Sequence, residues 1–172
     1  PMILGTIPLS HGIMKLIAGD GFTESGAILP ILIVATGLIF LGTMFTYTLV
    51  ILDKQKAMLK YFGLAAVLAL IGYFIFIPRY SYFGAAWVTV IVEGFITIMA
   101  LSLTFYHAKI KLKLNVLWKS LLASIIMTSC LYYLLPFNLN IILLLLIACL
   151  VYFIFLFLLK GIDKKMINAI LK

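Results

Sequence analysis

The chain has 172 residues, of which 66% are hydrophobic and 10% charged, and it carries a formal net charge of +8. Its mean hydropathy is +1.28, and a soluble domain has roughly 25% charged residues, so the composition excludes a soluble globular domain and indicates an integral membrane protein. The positive charge does not indicate nucleic acid, because the lysines lie between apolar runs, where they set membrane orientation and attract anionic lipid. We therefore expect membrane lipid, and no nucleic acid, among the partners.

Apolar runs divide the chain into predicted helices at about 1–18, 27–52, 61–77, 83–107, 116–135 and 141–160. Five of them reach the length of a membrane-spanning helix, about 20 residues, whereas the first is cut short at its start. Because the polar breaks between the runs are brief, consecutive helices are predicted to be antiparallel neighbours in one bundle over residues 1–160. The predicted fold is all-α: five full transmembrane helices plus one truncated helix. Since the chain begins with Pro1 inside an apolar run, we expect it to be a late portion of a longer protein.

The basic residues favour one orientation of this bundle. Every second break is rich in lysine, namely Lys54, Lys56 and Lys60, then 108–119 with four lysines, then the tail from Lys160. The alternate breaks carry Arg79 alone, no basic residue over 136–140, or a lysine offset by acidic residues. The positive-inside rule then predicts a multi-pass protein of the cell membrane with its C-terminus in the cytoplasm. Residues 161–172 mix apolar residues with lysines, which predicts a short amphipathic cytoplasmic tail on the membrane surface.

Glu93 is the acidic residue that the hydropathy pattern places at membrane depth. A charge in hydrocarbon costs several kcal/mol, so it usually faces protein or water. Residues recurring every four positions predict a polar face on the 83–107 helix: Ala85, Thr89, Glu93 and Thr97. One interpretation is a lined cavity in which Glu93 binds a cation, exchanges a proton or touches a substrate. The other is a hydrogen-bonded carboxyl that joins two helices, an ordinary packing device in membranes.

Other chemistry-bearing residues are sparse. His11 lies in the first helix without Cys, Asp or Glu at ligand spacing, which favours a packed or cavity-lining histidine over a metal ligand. Ser120, Ser124 and Thr128 form a second polar row, interpreted as helix packing. The sequence has no nucleophile elbow, paired acidic cluster, metal set or glycine-rich phosphate loop. We therefore predict that the protein is not an enzyme and uses no metal or cofactor.

Several segments carry a family pattern: IMKLIAGD (13–20), SGAILPIL (25–32), LVILDKQKAML (49–59), IPRY (77–80), GAAWVT (84–89) and the Val92-Glu93 pair. In order and spacing they resemble the C-terminal half of polysaccharide and lipid-linked oligosaccharide flippases. These are the Wzx-like members of the multidrug/oligosaccharidyl-lipid/polysaccharide exporter superfamily. The matched stretch covers roughly residues 13–107.

The resemblance implies a two-lobed transporter working by alternating access, in which this chain supplies most of the C-terminal lobe. Its partners would be a polyprenyl-linked glycan and an N-terminal transmembrane lobe. The expected substrate or ion pathway holds His11, Thr89, Glu93 and Thr97, and the expected cytoplasmic rim holds Lys54, Lys56 and Lys60. Two alternatives stay open: a cation-coupled multidrug or small-molecule exporter with Glu93 as coupling site, and a non-transporting membrane anchor subunit.

Overall fold

The computed structural model describes residues 1–108, 115–137 and 139–159, and the regular structure among them is entirely helical. In chain order the helices are α1 (Met2–Ala18), a 3₁₀ segment (Asp20–Ala27), α2 (Leu29–Ile51), α3 (Gln55–Ala108), α4 (Asn115–Leu134), a 3₁₀ turn (Leu135–Phe137) and α5 (Ile141–Leu158). This confirms the all-α class. The predicted amphipathic tail, 161–172, lies outside the described residues.

The long helices have the length and apolarity that a membrane requires. Within the described ranges, α2, α3, the stretch Asn115–Phe137 and α5 are long and apolar enough to span it, while α1 is a shorter apolar helix. Large apolar side chains such as Phe74 and Leu150 are exposed on them, as they would be in lipid. Hydroxyls on α2 bond to the carbonyl four residues back, as Thr36 does to Leu32 and Thr48 to Met44. Such bonds satisfy polar groups where no water is present.

The chain divides into two compact units, residues 1–26 together with the residues from 112 onward, and residues 27–111. In the first unit α1, α4 and α5 pack around a core of five side chains: Leu9, Met127, Leu131, Leu144 and Ala148. Two hydroxyls of the second polar row cross between helices. Thr128 Oγ1 lies 3.1 Å from the Leu4 carbonyl oxygen, and Ser120 Oγ lies 2.9 Å from the Tyr152 hydroxyl. These bonds are consistent with the packing role predicted for that row.

The second unit contains α2 and α3, and α3 is a helical hairpin. Its backbone is helical except at Ser81, where φ is 52° and ψ −136°. We call residues 55–80 the first arm and residues 82–108 the second arm. Gly72 meets Val88, and the Tyr73 hydroxyl lies 3.1 Å from Thr89 Oγ1, so the arms run antiparallel. The predicted helices 61–77 and 83–107 lie inside these arms.

Both arms extend beyond their predicted bounds. Helix begins at Gln55 and includes Lys56 and Lys60, which hydropathy predicts to lie in a polar break between helices. Lys, Gln, Ala and Met are good helix formers, so this stretch continues the helix although its hydropathy is low. The first arm also runs through Pro78 to Tyr80, which reduces the predicted polar turn to a sharp reversal at Ser81.

Helix α2 lies alongside the second arm and runs parallel to it. Thr97 Oγ1 donates to the Leu38 carbonyl at 2.8 Å, and Thr104 Oγ1 donates to the Phe45 carbonyl at 3.2 Å. The two bonds advance in the same direction along both helices. The core at one end of this unit consists of Leu49, Met58 and Ala100, to which α2 and both arms contribute one side chain each. The three apolar segments of the unit therefore run up, down and up.

Candidate functional site

A cleft of about 420 Å³ lies within the second unit. All three apolar segments line it, and most of its wall comes from α2. Its lining residues are Ile39, Gly42, Thr43, Thr46, Tyr47, Val50, Phe62, Glu93, Ile96 and Thr97. The lining is thus apolar side chains interrupted by hydroxyls and one carboxylate. That composition is typical of sites that bind a largely apolar ligand and orient it by a few polar contacts.

Glu93 lies near the middle of the second arm. It is 11 residues from Tyr82 and 15 from Ala108, or about 17 and 23 Å along the helix axis. The side chain is half-buried, and in the described part of the chain no other side chain hydrogen-bonds to its carboxylate. A carboxylate at this depth and without a protein partner is an acceptor that a ligand can use.

The two threonines of the predicted polar face have different surroundings. Thr97 is buried and lines the cleft, but its hydroxyl donates its hydrogen bond to the Leu38 carbonyl. Thr89 is not among the lining residues; its hydroxyl donates to Ala85 at 3.0 Å and contacts Tyr73 of the first arm. Both hydroxyls hold helices together, so the packing interpretation describes the threonines. It does not describe Glu93, which has no such bond to any of the residues that the structure describes.

The α2 wall of the cleft was not predicted from the sequence. Thr43 and Thr46 lie on this wall beside Gly42. Gly42 lets Thr97 approach, because a Cβ at that position would lie only 2.8 Å from Thr97 Oγ1. Thr43 and Thr46 donate to carbonyls of their own helix, at 2.7 and 2.9 Å. The available signal was a polar pair three residues apart next to a small residue, which marks a helix–helix interface in membranes.

A second cavity, of about 290 Å³, lies next to this cleft. It shares Thr46, Val50 and Phe62 with the cleft and is also lined by Lys56. Of the three predicted rim lysines, only Lys56 lines one of these two cavities. Lys54 is exposed. The Lys60 ammonium lies 4.9 Å from the centre of the Tyr61 ring. The two cavities are therefore neighbours, with Glu93 lining the first and Lys56 the second.

His11 belongs to the first unit. The residue is exposed, and its Nδ1 lies 3.4 Å from Ser10 Oγ. Gly26 packs closely against the imidazole, since a Cβ at Gly26 would lie 2.9 Å from the ring. Cys130 and Cys149 are free thiols. Over the described residues, no three His, Cys, Asp or Glu side chains converge in a group that would hold a metal ion.

The chain was compared with known protein families, proteins and structures. No protein-family model, curated protein or solved structure matches the chain.

Proposed function

We propose that this chain forms part of a membrane transporter that moves a lipid-linked oligosaccharide or polysaccharide precursor across the bilayer by alternating access. The observation that carries the proposal is the carboxylate of Glu93, which lines a mainly apolar cleft at mid-arm without a partner among the described residues. Sugar hydroxyls donate hydrogen bonds that a carboxylate accepts, and the lipid part of such a substrate suits the apolar walls. The resemblance to flippases of this class supports the same substrate.

The remaining parts of the site have supporting roles in this proposal. Thr97 fixes the second arm against α2 and so holds Glu93 at the wall of the cleft. The rim lysines Lys54, Lys56 and Lys60 attract the pyrophosphate of the substrate to the membrane surface, each by on the order of 1 kcal/mol. An N-terminal lobe would complete the transport pathway, because transporters of this kind alternate between two bundles around a central site.

A transport assay tests the proposal. Proteoliposomes with the full-length protein and a labelled lipid-linked oligosaccharide report flipping as the fraction of label that a membrane-impermeant reagent can reach. We expect Glu93→Leu to slow flipping at least about tenfold, because a hydrogen bond to a charged group is worth about 1.5–3 kcal/mol. Glu93→Gln keeps an acceptor oxygen, and we expect it to slow flipping only about threefold. A wild-type rate equal to that of protein-free vesicles would contradict the proposal.

A matched control separates the site from general charge effects. Glu24 is an exposed carboxylate of the first unit, so we expect Glu24→Gln to flip substrate at the wild-type rate. If it were as slow as Glu93→Leu, the loss would reflect net charge or folding and not the cleft.

The second candidate is a cation-coupled exporter, and the same unpartnered carboxylate favours it because a cation would find an open ligand there. In that case Glu93→Gln would be as damaging as Glu93→Leu, since an amide binds neither a proton nor a cation as a carboxylate does. Export of a small amphipathic dye driven by a proton or sodium gradient measures this. A membrane anchor subunit, the third possibility, predicts transport of neither substrate.

A further inference from the structure

The 290 Å³ cavity that Lys56 lines, called the groove below, is built mainly from apolar side chains. Lys56 lies in the first turn of α3, and its side chain lines the 290 Å³ cavity together with Val50, Leu59 and Phe62. The wall also includes the hydroxyl of Thr46, which already donates a hydrogen bond to the Gly42 carbonyl. Apart from Lys56 and Gln55, the cavity therefore offers a ligand only apolar contacts.

The net charge of the segment that contains Lys56 favours an anion. Three lysines lie within residues 53–60 against one acidic residue, Asp53. Lys60 is placed over the Tyr61 ring. In the described ranges, no carboxylate lies within ion-pair distance of Lys56. An unpaired ammonium in the first turn of α3 thus lines a largely apolar cavity between α2 and the first arm.

We propose that this groove binds an anionic phospholipid of the bilayer, with its phosphate on Lys56 and one acyl chain along Val50, Leu59 and Phe62. Basic pockets between transmembrane helices are typical sites for anionic head groups, and the apolar walls match an acyl chain. The cavity shares Thr46, Val50 and Phe62 with the Glu93 cleft, so the bound acyl chain would lie next to that cleft. The bound phospholipid would be a resident lipid and not a transported substrate. The proposal is therefore independent of whether the protein transports a lipid-linked sugar.

Native mass spectrometry tests the proposal on the full-length protein released from vesicles that contain no polyprenyl lipid. We expect adducts of phosphatidylglycerol, and not of phosphatidylcholine, to persist from vesicles with equal amounts of both. Lys56→Gln should weaken phosphatidylglycerol binding about fivefold, the worth of one charge near a membrane surface. Val50→Trp fills the groove and should displace the lipid even though every lysine is retained.

Matched variants make the test decisive. Arg79→Gln removes one exposed positive charge at the far end of the same hairpin, and Val67→Trp adds an indole to an exposed position that lines neither cavity. Both should bind lipid like the wild type. The proposal is overturned if Lys56→Gln and Arg79→Gln lose the same amount of lipid, if Val50→Trp retains it, or if phosphatidylcholine binds equally well. Displacement of the lipid by millimolar inorganic phosphate would also overturn it, because the site would then be one for free phosphate.

Discussion

At the scale of single residues, four threonine hydroxyls of α2 and the second arm fall into two classes. Those of Thr43 and Thr46 bond to carbonyls of their own helix, whereas those of Thr97 and Thr104 bond to carbonyls of another. In a medium without water both arrangements satisfy the hydroxyl, but only the second joins helices. Similar residues within one cleft therefore contribute differently to stability.

A pair of isosteric substitutions tests this distinction. Thr97→Val removes the bond to the Leu38 carbonyl, and we expect it to lower the free energy of unfolding by about 1 kcal/mol, within the range measured for interhelical bonds in membranes. Thr43→Val should change it by less than about 0.5 kcal/mol. Reversible unfolding of the full-length protein in mixed micelles of rising denaturing-detergent fraction measures both. Equal effects would show that the interhelical bond has no special weight.

Among the helices, the hairpin of α3 depends on a backbone conformation that suits glycine. Ser81 adopts φ 52° and ψ −136°, a region that residues with a Cβ rarely occupy and that costs of order 1–3 kcal/mol. The reversal also depends on Gly84, where a Cβ would overlap the Phe76 carbonyl. The hairpin thus combines a glycine where the arms first touch with a strained serine at its tip.

Relief of that strain should be measurable. We expect Ser81→Gly to raise the free energy of unfolding by about 1 kcal/mol, because glycine occupies this region without a steric cost. Ser102→Gly is the matched control: it lies in the regular helix of the second arm, where glycine should lower stability by about 0.5–1 kcal/mol. Thermal unfolding of the full-length protein in nanodiscs gives both signs. Destabilisation by Ser81→Gly would mean that the serine side chain stabilises the turn.

For the molecule as a whole, the orientation in the membrane is a prediction from the lysines. The first arm has 26 residues, about 39 Å of helix, which exceeds the roughly 30 Å hydrocarbon core. Lys54 and Ser81, both exposed, flank its two ends. In a Cys130→Ala, Cys149→Ala background, we expect Ser81→Cys to react with a membrane-impermeant maleimide in intact cells and Lys54→Cys only after permeabilisation. The reverse pattern would contradict the positive-inside assignment.

Much of the fold follows from hydropathy alone. The apolar runs anticipated the helices. The lysine that precedes the acidic residues of the first break, Lys15, forms an ion pair with Asp20 at 2.8 Å. The division into two units was not anticipated, because hydropathy tells which residues avoid water but not which apolar faces meet. For the same reason the sequence singled out Glu93 but missed Thr43, Thr46 and the α2 wall. Spacing within one helix also could not show that Thr89 faces the first arm and Thr97 faces α2.

The two threonine bonds between α2 and the second arm have a mechanical consequence. Thr97 and Thr104 are seven residues apart, and so are their acceptors Leu38 and Phe45, so both bonds lie on one seam two turns apart. Sliding one helix past the other would break both bonds at once, which fixes the axial register. We expect α2 and the second arm to move as one rigid body. Any widening of the cleft in this unit must then come from the first arm, with Phe62 as the part of the wall that swings away.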